Sequence, residues 1–333
     1  MFNLSDIFDK HKKEKAQPPK SPEAKSQELK VSSVVSRKPE EADVGGALKF
    51  YEEAARAVKE VYMGAQEGKL NFSADMQRLS QELTDLLYRQ DLSLLTKCFS
   101  DYPKIEDYLY YHALNVSILS LKLVSAFDFD QEKKIEFVLS ALLHDIGLQR
   151  YLDIILKTTE LTKTEYAEIK QHPRGSFELL SKAEPKLPSA VLETVYQEHE
   201  RIDGSGYPRG LLGSAMTLNA KIIGLVDCFE ALMHPRPYRK KYPSLEASKI
   251  IVDNKNSFED KLIKALFEKI GIFPVGTLLR LNTKESGIVL STSEESPLRP
   301  VVKIIFDADG SELKEPRVVD LSNSKVLFVS GNI

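Results

Sequence analysis

Four histidines and three acids give this sequence the means to hold metal ions. His112, His144, His172 and His199 lie 32, 28 and 27 residues apart. That spacing suits one histidine per successive helix or helix end, all converging on one pocket. Asp145 follows His144 directly, so a single helix end offers a nitrogen and an oxygen ligand. The carboxylate can bridge two ions while the imidazole binds one. Glu198 stands before His199, and Asp227 lies inside an apolar run from Ile222 to Leu232. A carboxylate among apolar neighbours is costly unless a cation or a buried partner balances it. The candidate ligands are therefore His112, His144, Asp145, His172, Glu198, His199 and Asp227. Alone, His112 fits a satisfied core histidine and His172 fits a surface His-Pro turn. As a set they suit two divalent first-row ions, iron or manganese, better than a structural zinc, which favours cysteines. Two ions about 3.5–4 Å apart can activate water and neutralise a phosphodiester during in-line attack. No serine or cysteine nucleophile is required.

The elements that must position these residues read as helices. Apolar residues recur at steps of three and four over 46–67, 76–86, 104–127, 131–149, 164–183, 187–199, 219–233 and 244–270. Pro173 disfavours helical geometry at His172, so a new helix starts at Pro173 with His172 at its N-terminal end. The first two helices carry no catalytic set. They form a hairpin over 44–100 that packs on the main domain or pairs with a second copy. Between His199 and Leu218 the chain reads Glu-Arg-Ile-Asp203-Gly204-Ser-Gly206-Tyr207-Pro208. That is too rich in glycine and proline for a helix and reads as a shaped loop beside a ligand. Arg236-Pro237-Tyr238-Arg239-Lys240-Lys241 is either a solvated basic turn or a phosphate clamp; its place directly after the Asp227 helix favours the clamp.

After Gly271 the period changes. Short strands are expected at 275–281, 286–291, 300–306, 316–319 and 325–329, broken by turns such as Asp309-Gly310. They suggest a small antiparallel barrel or sandwich that serves structure or binds a partner. Residues 10–43 are Lys, Glu, Pro and Ser with few apolar side chains, so 1–43 is expected to be a disordered tail. The 333 residues thus divide into a tail (1–43), a helical hairpin (44–100), a helical domain (101–270) and a β module (271–333). Net charge is only −3, which gives no basic field for duplex nucleic acid. Cys98 and Cys228 form no metal-type pair and suit a reducing cytoplasm. No apolar run approaches the roughly 18 residues of a membrane span.

The motif order resembles the HD-GYP family of metal-dependent phosphohydrolases. It runs His112, then His144-Asp145-Ile146-Gly147, then His172-Pro173, then His199 to Leu211, then Asp227, then Arg236-Pro237-Tyr238-Arg239. The match extends from about 105 to 255, and the stretch from Gly271 to Thr277 is similar to a tail often attached to such domains. The resemblance implies a mainly α fold, an HD-type helical bundle carrying the hairpin and the β module. It implies hydrolysis of cyclic di-GMP to pGpG or GMP, with His144 and Asp145 as the catalytic pair. His112, His144, Asp145, His172, His199 and Asp227 would hold metal. Asp203, Gly204, Gly206, Tyr207 and Pro208 would form the substrate loop, and Arg236 and Arg239 would meet phosphates.

Three positions depart from the family pattern. Glu198 stands where members usually have a histidine, Leu148 where they usually have a lysine, and Tyr108 where some have a glutamate supporting a third metal. At most two metals are therefore expected. The changes bear on catalysis more than on fold. The alternative is a weak or inactive receptor that binds metal or cyclic dinucleotide and signals to a protein through the tail or the β module. Pairing of two chains through the hairpin is a further expectation.

Overall fold

The structure is a computed structural model that describes residues 44–67, 74–88, 92–293 and 295–332. The expected tail over 1–43 lies outside the described residues. Helices α1 (Val44–Gln66), α2 (Ala74–Tyr88) and α3 (Leu92–Cys98) lead into a bundle of α4 (Tyr108–Val124), α5 (Gln131–Leu143), α6 (Leu152–Ile155), α7 (Lys163–Ile169), α8 (His172–Leu180), α9 (Ser189–Gln197), α10 (Leu218–Met233), α11 (Ser244–Asp253) and α12 (Asp260–Lys269).

Two helices, α4 and α10, are apolar nearly all round, and almost every residue in each is buried. Such helices belong at the centre of a bundle. α4 lies against α1, α5 and α10. Local signals set the helix starts. The Asp130 carboxylate accepts the Lys133 N–H at 2.8 Å and begins α5. Thr162 and Glu165 form a reciprocal capping box that begins α7. The Thr217 hydroxyl accepts the Ala220 N–H and begins α10.

The hairpin packs on the main bundle. Val58 and Tyr62 of α1 and Leu83 of α2 are fully buried in one apolar core that continues through Leu266 and Ile270. The Tyr62 hydroxyl donates to the Leu142 carbonyl, 3.0 Å away, just before His144.

Several boundaries differ from the sequence reading. The single helix expected over 131–149 ends at Leu143, and a 3-10 turn takes over at Ile146–Tyr151. The stretch 164–183 breaks at Lys170 and Gln171, so α8 begins at His172 itself with Pro173 in its first turn, where the missing N–H costs nothing. The single helix expected over 244–270 breaks at Asn254, whose side chain turns back to the Ile250 carbonyl at 2.8 Å. α3 was not expected at all.

The β module is one five-stranded antiparallel sheet in the order β4-β3-β2-β1-β5, as the antiparallel reading expects. Its strands are β1 (Leu278–Leu281), β2 (Ser286–Ser291), β3 (Val301–Phe306), β4 (Glu312–Asp320) and β5 (Val329–Asn332). Inward residues Leu279, Leu281, Val289, Val302 and Ile304 build a second core with Phe273 and Leu321. β4 is longer than expected because Pro316 sits on an edge strand, where its missing N–H breaks no ladder. β5 begins later than expected because the Ser324 hydroxyl takes the Val326 and Leu327 N–H groups into a turn.

Candidate metal centre

The seven candidate ligands converge from α4, the end of α5, the start of α8, the end of α9 and the middle of α10. All seven side chains are buried. His144 follows α5, and its Nδ1 donates to the Ala141 carbonyl at 2.8 Å. His172 does the same with the Ile169 carbonyl, also at 2.8 Å. Each bond holds the proton on Nδ1 and leaves Nε2 facing the cluster, the orientation a metal ligand needs. The two helix ends approach closely at Gly147: a Cβ there would lie 2.4 Å from the His172 carbonyl oxygen and 2.6 Å from Ser176 Oγ. Only glycine fits.

Asp145 lies between two groups of ligands. Its Oδ1 is 3.1 Å from His172 Nε2. Its Oδ2 is 3.5 Å from His144 Nε2 and 3.6 Å from His112 Nε2. Glu198 Oε1 is 3.4 Å from His172 Nε2 and 3.1 Å from His199 Nε2. Asp227 Oδ1 is 3.0 Å from His112 Nε2, and its Oδ2 is 3.8 Å from His199 Nδ1. Asp145, His172, Glu198 and His199 can thus surround one ion, and His112, His144 and Asp227 another.

The electrostatics fit cations. His144 Nε2, both Glu198 oxygens and Asp227 Oδ2 are buried and make no hydrogen bond among the described residues. Buried polar atoms are ordinarily paired, so orphans in both groups of candidate ligands call for a ligand at each. Burial disfavours the Asp145 carboxylate, but His144, His172 and His112 outweigh it and hold its pKa well below the usual range. Burial pushes the Glu198 carboxyl up, and His172 only partly opposes this. Burial also drives His199 well below its ordinary value, keeping its ring neutral. For His112, burial is overcome mainly by Glu230 and Asp227, and its pKa rises to about 9.

Glu230 carries no expectation from sequence, yet it is the hub behind the cluster. Its side chain is fully buried. One oxygen accepts from His112 Nδ1 and, at 3.3 Å, from Arg236. The other accepts from the Tyr102 hydroxyl at 2.8 Å and Asn115 Nδ2 at 2.9 Å. His234 Nδ1 lies 3.1 Å from it as well. Glu230 therefore fixes the ring and the proton of His112 from behind. Its position one helical turn after Asp227 is the only trace in the sequence.

The loop after α9 covers the cluster. The Tyr207 ring stacks on His199 with centroids 4.7 Å apart. The peptide bond from Tyr207 to Pro208 is cis. Buried Glu200, also missed in the sequence, accepts the Arg209 N–H at 2.7 Å and the Leu211 N–H at 2.9 Å, which closes the loop. Gly206 crosses the Glu200 backbone so closely that a Cβ would sit 2.4 Å from its Cα. Asp203 and Gly204 lie at the outer end of the loop. The Asp203 carboxylate accepts the Ser205 N–H at 2.9 Å, a turn-forming contact away from the histidines.

Arg236 is buried rather than part of a solvated turn. It donates to the Tyr102 hydroxyl at 3.0 Å and to Glu230, so part of its guanidinium is committed to support. Arg239 donates to the Ala231 and Lys240 carbonyls. Both still line a cavity that reaches His112, Asp145 and Asp227.

The HD domain family matches residues 94–262, half of the chain. The chain belongs to the HD domain family. Its His144-Asp145 pair and its Gly206-Tyr207-Pro208 loop put it in the HD-GYP branch. HD domains depend on divalent metal, which agrees with the donor set described above. Residues 278–333 match a KOW domain associated with the HD domain. The chain is 29% identical over 285 residues to the cyclic di-GMP phosphodiesterase PA4108 of Pseudomonas aeruginosa, covering 85% of this chain and 68% of that one. It is 27% identical over 224 residues to the cyclic di-GMP phosphodiesterase PdeB of Borreliella burgdorferi, covering 66% of this chain and 56% of the relative. Among solved structures, the HD-GYP-like protein Bd1817 of Bdellovibrio bacteriovorus shares the fold at a TM-score of 0.56 and 20% identity, over 68% of this chain and 72% of that one. No described helix is long and apolar enough to cross a membrane.

Proposed function

We propose that this HD domain hydrolyses cyclic di-GMP to pGpG or GMP, using two divalent ions, iron or manganese. The observation that carries this reading is the position of Asp145, whose two oxygens face separate groups of histidines and carboxylates. When bound, two such ions supply Lewis acidity and an activated water at neutral pH. Asp145, His172, Glu198 and His199 would hold one, and His112, His144 and Asp227 the other. Backbone carbonyls and Glu230 orient the imidazoles before substrate arrives, so no reorganisation is needed in the transition state. Arg236 and Arg239 present positive charge to the phosphates, and the Tyr207 loop shields the centre from bulk water. The Pseudomonas and Borreliella relatives, both cyclic di-GMP phosphodiesterases, support the substrate.

The finer organisation belongs to the same proposal. The boundaries at 43, 100 and 270 divide tail, hairpin, catalytic domain and β module. The module exposes Val318, Val326 and Phe328, apolar side chains suited to a protein partner. Pairing of two chains through the hairpin and a cytoplasmic setting complete the reading.

The test is an anaerobic assay of protein loaded with iron(II) or manganese(II), with cyclic di-GMP as substrate and products resolved by chromatography. Linear product from the native chain, and none from Asp145→Ala, supports the reading. Two bound metals and bound nucleotide without product turn it into a receptor. A panel of other cyclic dinucleotides tests the choice of substrate.

A further inference from the structure

Tyr108 sits on α4, one helical turn before His112, and its side chain is almost wholly buried, with 1% of its surface exposed. Its hydroxyl makes no hydrogen bond among the described residues. An unpaired buried hydroxyl carries a desolvation cost that a bound acceptor would remove. Tyr108 also lines the cavity that reaches His112, Asp145 and Asp227. The Arg236 guanidinium lies 4.8 Å from its ring centroid. Arg239 Nε, in the same cavity wall, is likewise buried without a partner. Leu148 lines the same cavity and offers no donor at all.

The cavity therefore joins three features: an unpaired phenolic donor, two guanidinium groups and the carboxylate between the two ligand groups. Those features suit an anion with oxygen acceptors beside His112, Asp145 and Asp227. A phenol has an ordinary pKa of about 10 and stays a donor at neutral pH. The flanking arginines spend part of their donors on Tyr102, Glu230, Ala231 and Lys240, whereas the phenol hydroxyl is uncommitted.

We propose that the Tyr108 hydroxyl donates a hydrogen bond to a non-bridging oxygen of the scissile phosphodiester, supplying from α4 the contact that Leu148 does not supply. This rests on the cyclic di-GMP reading above. No proton is transferred; the bond strengthens as charge builds on the phosphoryl oxygens.

The experiment compares Tyr108→Phe with the native 333-residue chain, both loaded with manganese(II). Metal content and melting temperature are measured first, then turnover of cyclic di-GMP, then its binding to the metal-free proteins by calorimetry. The expected result is native metal content and melting, with kcat/KM lower by about ten- to a hundredfold. Equal kcat/KM with native metal content overturns the proposal. If the native chain binds cyclic di-GMP without cleaving it, weaker binding by Tyr108→Phe supports the contact and equal binding overturns it. A native chain that neither binds nor cleaves sinks the functional reading, and this proposal with it. Should Tyr108→Phe melt early, Tyr108→Met serves as a second variant without the hydroxyl, judged by the same comparisons.

Discussion

Glu230 accepts a hydrogen bond from Nδ1 of His112, reaching across from α10 to α4, while Nε2 of the same ring lies 3.0 Å from Asp227 Oδ1. One helix thus grips both sides of one imidazole. Carboxylates placed behind a ligating histidine fix its tautomer and raise its basicity.

Glu230→Gln should keep the fold and weaken metal binding by about 10–100-fold. A chelator titration read by metal content checks this. Glu230→Ala should go further, since it leaves Arg236 and His112 without their shared counter-charge, at a cost of about 3–5 kcal/mol. Unchanged metal affinity in Glu230→Gln would remove the supporting role.

The metal-free chain should lose stability as pH rises. His112 and His172 both have pKa values raised to about 9, against burial: His112 mainly by Glu230 and Asp227, His172 by Asp145 and Glu198. A raised histidine pKa gives stability that is whole below the unfolded value of about 6.5 and is lost as pH climbs through the folded value. Melting of chelated protein should therefore fall between about pH 6.5 and pH 9. Loading with metal displaces those protons, so apparent metal affinity should rise over the same window. A flat melting profile for the chelated protein counts against the assignment.

Gly147→Ala should damage both stability and metal binding. The added methyl would collide with the His172 carbonyl and Ser176. Overpacking of that kind costs about 1–3 kcal/mol, and here it pushes the start of α8 away from Asp145. Denaturant melts and metal content should drop together.

Glu200→Ala should separate the loop from the metal. Two N–H groups would lose their acceptor, at about 1–3 kcal/mol of local order. Metal content should stay native while KM for cyclic di-GMP rises. Loss of metal in this variant would mean that the loop helps hold the ligands themselves.

Much of the centre was legible because its chemistry contradicts its surroundings. Asp145 and Asp227 are charges in apolar helices, and the four histidines arrive at a helical rhythm. Glu230 was not legible, although it too is a charge in an apolar helix. Its partners Tyr102, Asn115, His112 and Arg236 come from elements far apart in the chain, and no spacing encodes their meeting. Glu200 opens the stretch that reads as a shaped glycine- and proline-rich loop, and only the fold shows its carboxylate turned inward onto two N–H groups. The break in 244–270 was written in Asn254, Asn256 and Ser257, yet the apolar period on either side hid it. The late start of β5 depends on where the Ser324 hydroxyl points, which periodicity does not report.

Tyr62 reaches from α1 to the carbonyl of Leu142, two residues before His144. The family match begins only at residue 94, whereas the shared core begins at Ala47. A fragment cut to the matched boundary would bare Val58, Tyr62 and Leu83 partners to water and unmoor the turn that presents His144. The HD outline and the mechanical one differ: the turn that presents His144 is braced by helices that lie upstream of the matched domain.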